Sequence, residues 1–205
     1  VGTSAITSDQ AGAAFVMDNS ANYVWKKSYN TGGQTEHNVH AFELNKKIYM
    51  LGRTSNGAAG YGSYYVKMDL SGNTIWQKYI DYSLYDAAMY QQLTHQNTIL
   101  DLHWIAYNNS TSKFGSEDIG LVHLDTNGNK IWSKIIGTAG KDNASGLTKL
   151  NNYYYISGIT NNFDAGKSKL FLIKIDINGN IKWSKIYGAT GESITKPVFA
   201  NHLTT

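Results

Sequence analysis

Along SKLFLIKID (168–176), apolar residues stand one and three places before the closing aspartate, with other residues between them. GSYYVKMD (62–69) and EDIGLVHLD (117–125) carry the same arrangement. A period of two places alternate side chains on opposite faces, so each segment is expected to be a strand with one buried face. The aspartate opens a turn of the form D-x-x-G-N, in which Asp bonds nearby amides and Gly and Asn accept a left-handed backbone. IKWSKIY (181–187) then returns as an antiparallel partner. Further back, NYYYISGIT (152–160) and KIYMLGRT (47–54) predict another strand, and ASGLTKL (144–150) and NVHAFEL (38–44) one before that. Apolar residues at the spacing of an amphipathic helix, bounded by caps, do not recur. The chain is read as all-β.

These strands belong to a repeat. The phrase D-x-x-(G/A)-N-x-x-W-x-K occurs four times, anchored at Asp18, Asp69, Asp125 and Asp176, with gaps of 51, 56 and 51 residues. Trp25, Trp76, Trp132 and Trp183 follow, and Lys27, Lys78, Lys134 and Lys185 complete each copy. A four-stranded antiparallel meander of about fifty residues has the size of a β-propeller blade. The segment 1–3 aligns with the end of a second strand, and SITKPVFANHL (193–203) aligns with a first strand. The pattern therefore predicts a single domain over 1–205, a four-bladed ring closed by one C-terminal and three N-terminal strands. The alternative is an excerpt of a larger propeller.

The phrase itself reads as architecture. DTNGNK (125–130) has Gly128 at position 4 and Ile136 at position 12, whereas a calcium loop of the EF type needs Gly at 6 and Glu at 12. The tryptophans are expected to fill the wedges between neighbouring blades, each indole N–H meeting a backbone carbonyl. The lysines are expected to guard an outer edge against strand pairing.

Composition narrows the function. Eighteen basic and 15 acidic residues give a net charge of +3, without the basic cluster of a nucleic-acid binder. Cysteine is absent, which excludes disulfides, thiolate metal sites and cysteine nucleophiles. The apolar runs are too short for a membrane-spanning helix. Fifteen tyrosines and a single proline suit β structure.

The unit GTAGKDNASGLTKLNNYYYISGITNNFDAGKSKLFLIKIDINGNIKWSKIYGATGES (137–193) resembles the bacterial and archaeal β-propeller repeats of secreted and cell-surface proteins, whose pattern runs VKLD..GN..W.K.YGG. The resemblance spans the chain, strongest over 115–193 and weakest over 1–17 and 80–112. It implies an extracellular or cell-surface location and a scaffold or binding role. Its partner would be a protein or glycan, within a larger extracellular assembly. It carries over no catalytic residue and no cofactor.

Outside the phrase, one acid precedes the first strand of each unit: Glu36, Asp86, Asp142 and Glu192. Converging at one channel mouth, they would bind a cation or cationic group; alternatively each caps its own turn. Trp104 and Tyr61 are candidates for ligand stacking. His37 and His40 lie three apart and so on opposite faces of a strand, while His103 and His123 occupy neighbouring strands. The second pair has no evident third ligand, and no metal site is assigned. The glycine-rich stretch 57–65 leads into a strand, which removes the phosphate-loop reading. Sequons at Asn108, Asn109 and Asn143 are expected in loops open to glycosylation. No Ser-His-Asp order is visible. The expectation is a non-enzymatic binding or structural module. A glycan-binding lectin is the alternative, and a glycoside hydrolase using channel carboxylates the enzyme rival.

Overall fold

The computed structural model describes residues 2–3, 12–29, 35–55, 61–81, 86–87, 93–94, 98–106, 114–115, 117–163 and 167–188. Within these, the chain is all β. The first unit has β1 (Gly2–Thr3), β2 (Gly12–Met17) and β3 (Tyr23–Tyr29), paired in that order. The second blade runs β4 (Thr35–Leu44), β5 (Lys47–Ser55), β6 (Tyr61–Asp69) and β7 (Thr74–Asp81). In the third blade the first strand is broken into β8 (Asp86–Ala87) and β9 (Leu93–Thr94), both pairing β10 (Thr98–Ala106), followed by β11 (Glu117–Asp125) and β12 (Lys130–Ile136). The fourth blade is the regular meander β13 (Asp142–Leu150), β14 (Tyr153–Thr160), β15 (Lys169–Asp176) and β16 (Ile181–Tyr187).

Parallel pairings stitch successive blades together at one end. Tyr61 on β6 pairs with Asp86 on β8, which joins the second and third blades into one nine-stranded sheet. At the next junction Glu117 bridges to Lys141, and the Lys141 ammonium lies 2.6 Å from the Glu117 carboxylate. Tyr61 and Glu117 each stand eight residues before the repeat aspartate, so the stitch recurs with the repeat.

The core lies between the blades. One cluster joins Ala14 and Tyr29 of the first unit to Met50, Tyr64, Val66 and Met68 of the second blade. A second joins Tyr49, Leu51 and Tyr65 to Val122 and Leu124 of the third. The last joins Ile119 and Leu121 to Phe171, Ile173 and their neighbours in the fourth. β11 contributes to two clusters and is buried from Asp118 to Leu124, because it has a blade on each side. In β15 only alternate residues are buried, the pattern of a strand covered on one face.

Bulges set which face each tryptophan takes. The pairing of the third and fourth strands shifts at Val16/Met17, Lys67/Met68, His123/Leu124 and Lys174/Ile175, the same place in every unit. The extra residue precedes the tryptophan; Val24, Ile75 and Ile131 in this position are 62%, 48% and 51% exposed. An extra residue re-aims the side chain that follows it, and Trp25, Trp76 and Trp132 accordingly pack on the three inter-blade clusters. A second bulge leaves Val39 and Ser145 unpaired in the first strands of the second and fourth blades. Nearby, Gly52 and Gly158 lie opposite Tyr64 and Phe171, whose rings occupy the space a Cβ would need. Gly2 holds the same register opposite Ala13, so β1 is equivalent to the second strand of the later units.

The C-terminal strand expected to close a ring falls at 193–203, outside the described residues. Among the described residues no core cluster joins the fourth blade to the first unit. The described residues form a partial blade arrangement, not a closed ring.

Candidate functional site

The four D-x-x-(G/A)-N turns share one hydrogen-bond pattern. In each, Asp Oδ1 accepts from the amides two and four residues on: Ser20 and Asn22 at 2.9 and 2.9 Å, Ser71 and Asn73 at 2.9 and 2.8 Å, Asn127 and Asn129 at 2.8 and 2.8 Å, Asn178 and Asn180 at 3.0 and 2.9 Å. The Asn Nδ2 donates to Asp Oδ2 in all four. Amide hydrogen bonds favour the ionised carboxylate. Those from Asn22 and Asn73 hold Asp18 and Asp69 below the usual carboxylate value. For Asp125, burial pushes upward, but the bonds from Asn129 and Asn127 outweigh it. Asp176 is lowered furthest, first by Lys182, whose ammonium lies 2.8 Å away, and then by Asn180. The carboxylate oxygens are committed to the turn.

The turns at Asp69, Asp125 and Asp176 each receive the Trp-Lys pair of the preceding unit. Trp25 Nε1 donates to Leu70 O at 2.8 Å, and Trp132 Nε1 to Ile177 O at 3.0 Å. Lys27 and Lys134 donate to Asn73 Oδ1 and Asn180 Oδ1 at 2.7 and 3.1 Å. Lys78 reaches Gly128 O at 2.9 Å and Asn129 Oδ1 at 3.2 Å. At this middle junction the equivalent carbonyl, of Thr126, accepts instead from Lys67 Nζ at 2.9 Å, and Trp76 Nε1 is buried without a partner. The lysines expected to guard an edge are therefore inter-blade donors: the fourth strand of one blade lies beside the turn of the next, where an ammonium finds oxygens to bind. Glycine is required in these turns twice over. Gly72, Gly128 and Gly179 have φ of 74–76°, and a Cβ on each would come about 3.0 Å from the preceding tryptophan.

Glu36, Asp86 and Asp142 stand at the starts of β4, β8 and β13, while Glu192 lies outside the described residues. Register brings Asp86 beside Tyr61. Among the four acids, Asp142 has its side chain described. It is 3% exposed, and its Oδ2 accepts from Thr138 N at 2.5 Å and Thr138 Oγ1 at 2.8 Å, a cap on its own turn. It also lines a crevice of about 170 Å³ between the third and fourth blades. Ile119, Ile136, Phe171 and Ile173 form the apolar walls, and Thr160 and Ser184 are polar. Phe163, 56% exposed, is a further lining residue. Among the described residues nothing donates to Asp142 Oδ1. The arrangement offers a carboxylate and hydroxyls beside an apolar wall. Sequence reasoning singled out Asp142 but not the walls; the signal available was the run IIGTAG (135–140), which links the two blades.

The bulge at Val39 places His37 and His40 opposite Arg53 and Leu51 in the backbone register. His103 pairs with Gly120 and His123 with Leu100, so these two share no cross-strand pair. His123 instead lies against Trp132 and Tyr154 at ring separations of 5.1 and 6.1 Å. Asn143 is half-buried in β13 opposite Ile159, not in a loop, because the strand begins earlier than its apolar residues do. Asn108 and Asn109 lie outside the described residues, and Trp104 pairs with Ile119 in β10. No group of three or more potential metal-binding side chains occurs among the described residues.

No family model matches the chain, and no curated protein does. Among solved structures it is similar to a subtype N10 neuraminidase-like protein of A/little yellow-shouldered bat/Guatemala/060/2010, at 8% identity with a TM-score of 0.55. The match covers 90% of this chain and 63% of that one, so the chain spans less than two thirds of its neighbour's length. A neuraminidase is a β-propeller, and at this identity the likeness concerns fold alone. The four-unit stack of antiparallel blades is therefore of propeller type.

Proposed function

We propose that this chain is a non-enzymatic binding module displayed outside the cell, related to the bacterial and archaeal surface propeller repeats it resembles. The crevice holding Asp142 is its ligand contact. A glycan is the ligand class that fits best, since a sugar presents hydroxyl donors to a carboxylate and an apolar ring face to an aromatic edge. The observation that carries the reading is the 3% exposed Asp142 carboxylate lining an apolar crevice between two blades. Glu36, Asp86 and Tyr61, and Glu192 and Trp104 with them, remain candidates for the same end of the stack. The repeated tryptophans are assigned to packing.

A glycan array with the full chain tests this directly. Binding is expected, and Asp142→Asn is expected to weaken it about tenfold or more, as loss of a charge-assisted hydrogen bond. Equal binding by the variant would remove the crevice from the ligand site. A parallel screen with chromogenic glycosides, sialosides included, addresses the enzyme reading. Turnover abolished by Asp142→Asn would replace the binding module with a hydrolase.

A further inference from the structure

Two of the repeat turns carry a peptide step with chemistry of its own. Asn127–Gly128 and Asn178–Gly179 are Asn-Gly steps, whereas the corresponding step in the turn at Asp69 is Ser71–Gly72. Asn-Gly is prone to deamidation, because glycine has no side chain to keep its amide nitrogen away from the asparagine Cγ. Asn127 and Asn178 are exposed, but Gly128 and Gly179 are buried. The Gly128 N–H donates to Asp125 O at 3.0 Å and the Gly179 N–H to Asp176 O at 2.9 Å. Each glycine also lies against the indole of the preceding blade: a Cβ would come 3.0 Å from Trp76 at Gly128 and 3.0 Å from Trp132 at Gly179. Lys78 holds the Gly128 carbonyl at 2.9 Å, and Lys134 holds Asn180 Oδ1 at 3.1 Å. Ring closure needs the glycine nitrogen stripped of its proton and turned toward Cγ. The turn hydrogen bond retains that proton, while the indole and the lysine fix the peptide plane.

We propose that Asn127 and Asn178 are deamidation sites gated by the Trp-Lys clamp of the preceding blade, each reacting only when its own junction opens. In the opened turn the glycine nitrogen gives up its proton to solvent base and attacks Cγ. The new C–N bond closes a succinimide, the Cγ–Nδ2 bond breaks, and Nδ2 leaves as ammonia with the proton returned. Water then opens the ring at either carbonyl, giving aspartate or isoaspartate. Isoaspartate routes the main chain through Cβ and adds one atom between Asp125 and Gly128, or between Asp176 and Gly179. The turn bond and the seat of the glycine against the indole cannot both survive that addition. Either product also sets a new carboxylate beside the repeat aspartate, an unfavourable like-charge neighbour. Conversion therefore uncouples two blades irreversibly. The turn at Asp69, with Ser71, has no amide to lose at this place, so the first junction is exempt.

The full chain is incubated at mildly alkaline pH, where amide proton loss is faster, and peptide mapping by mass spectrometry follows each site. Asn56–Gly57 lies outside the described residues and is resolved as a separate peptide. Where opening and closing outpace the chemistry, the rate follows the open population, so both turns should react at least about tenfold more slowly in the folded chain than in denaturant. Trp76→Ala should speed Asn127 about tenfold and Asn178 less than about twofold, and Trp132→Ala the reverse. Lys78→Met removes a clamp donor without truncating a core cluster, and should speed Asn127 alone. The isoaspartate form at Asn127, separated chromatographically, should melt below the Asn127→Asp variant, which adds the charge without the extra backbone atom. Equal rates in the folded and denatured chain overturn the proposal, as does equal acceleration of both sites by each variant. An isoaspartate form that melts with the unmodified chain also overturns it.

Discussion

His123 and the repeat aspartates respond to acid in separate ranges. Burial against Trp132 and Tyr154, and secondarily the charge of Lys149, push the His123 imidazole below its ordinary value of 6.5. The unfolded chain therefore binds a proton there before the folded one does, and its contribution is complete above 6.5 and lost as pH falls below it. The four turn carboxylates are also depressed, but from an ordinary value of 3.8, so their contribution is complete above that value and declines beneath it. Melting temperature measured from neutral to strongly acid pH should fall in two stages. His123→Gln should flatten the upper stage and leave the lower one, while Asp69→Asn should reduce the lower one alone. A single stage unaffected by His123→Gln would mean that the imidazole pays no burial cost at this junction.

At the scale of the element, turn and clamp form one unit, and Gly128 is where they meet. Its φ of 74° suits glycine, and a Cβ would lie 3.0 Å from Trp76 and 2.9 Å from Lys78. Gly128→Ala should cost about 1–2 kcal/mol from the left-handed backbone, and more from displacing the indole. Chemical denaturation in a Trp76→Leu background separates the two, because the cost there should shrink toward the backbone strain alone. An equal cost in both backgrounds would show that the ring is not the limiting neighbour. The turns and strands of this unit were legible in the sequence, since the D-x-x-G-N phrase and period-two alternation are local signals. The bulges were not. They add a residue without altering composition, and so reverse the face on which Trp25, Trp76, Trp132 and Trp183 should stand by simple alternation. Lysine function was hidden for another reason: which oxygen meets an ammonium depends on the neighbouring blade, and Lys78 finds its partners 50 and 51 residues away. Asp142 could be named from its position before a strand, but its crevice takes walls from β11, β12, β15 and β16.

Across the molecule, stability should behave as a chain of nearest-neighbour junctions. Trp25 supports the first cluster and Trp132 the third, and these clusters share no residue. Truncating either tryptophan to alanine should cost about 3–5 kcal/mol, a large share of the roughly 5–15 kcal/mol typical of a folded domain. The two losses should nevertheless add to within about 0.5 kcal/mol, as for distant sites with no common partner. Trp25→Ala with Trp76→Ala should depart from additivity. Their clusters draw on opposite faces of β5 and β6, where Tyr49, Leu51 and Tyr65 alternate with Met50, Tyr64 and Val66. Native-state hydrogen exchange is the suitable measurement, because serial junctions need not unfold as one step. Trp25→Ala should release amides of β2 and β3 while β14 and β15 keep their protection. Uniform loss of protection across all four units would mean that the blades unfold together, and the stack would then be one cooperative body whose junctions cannot be tuned separately.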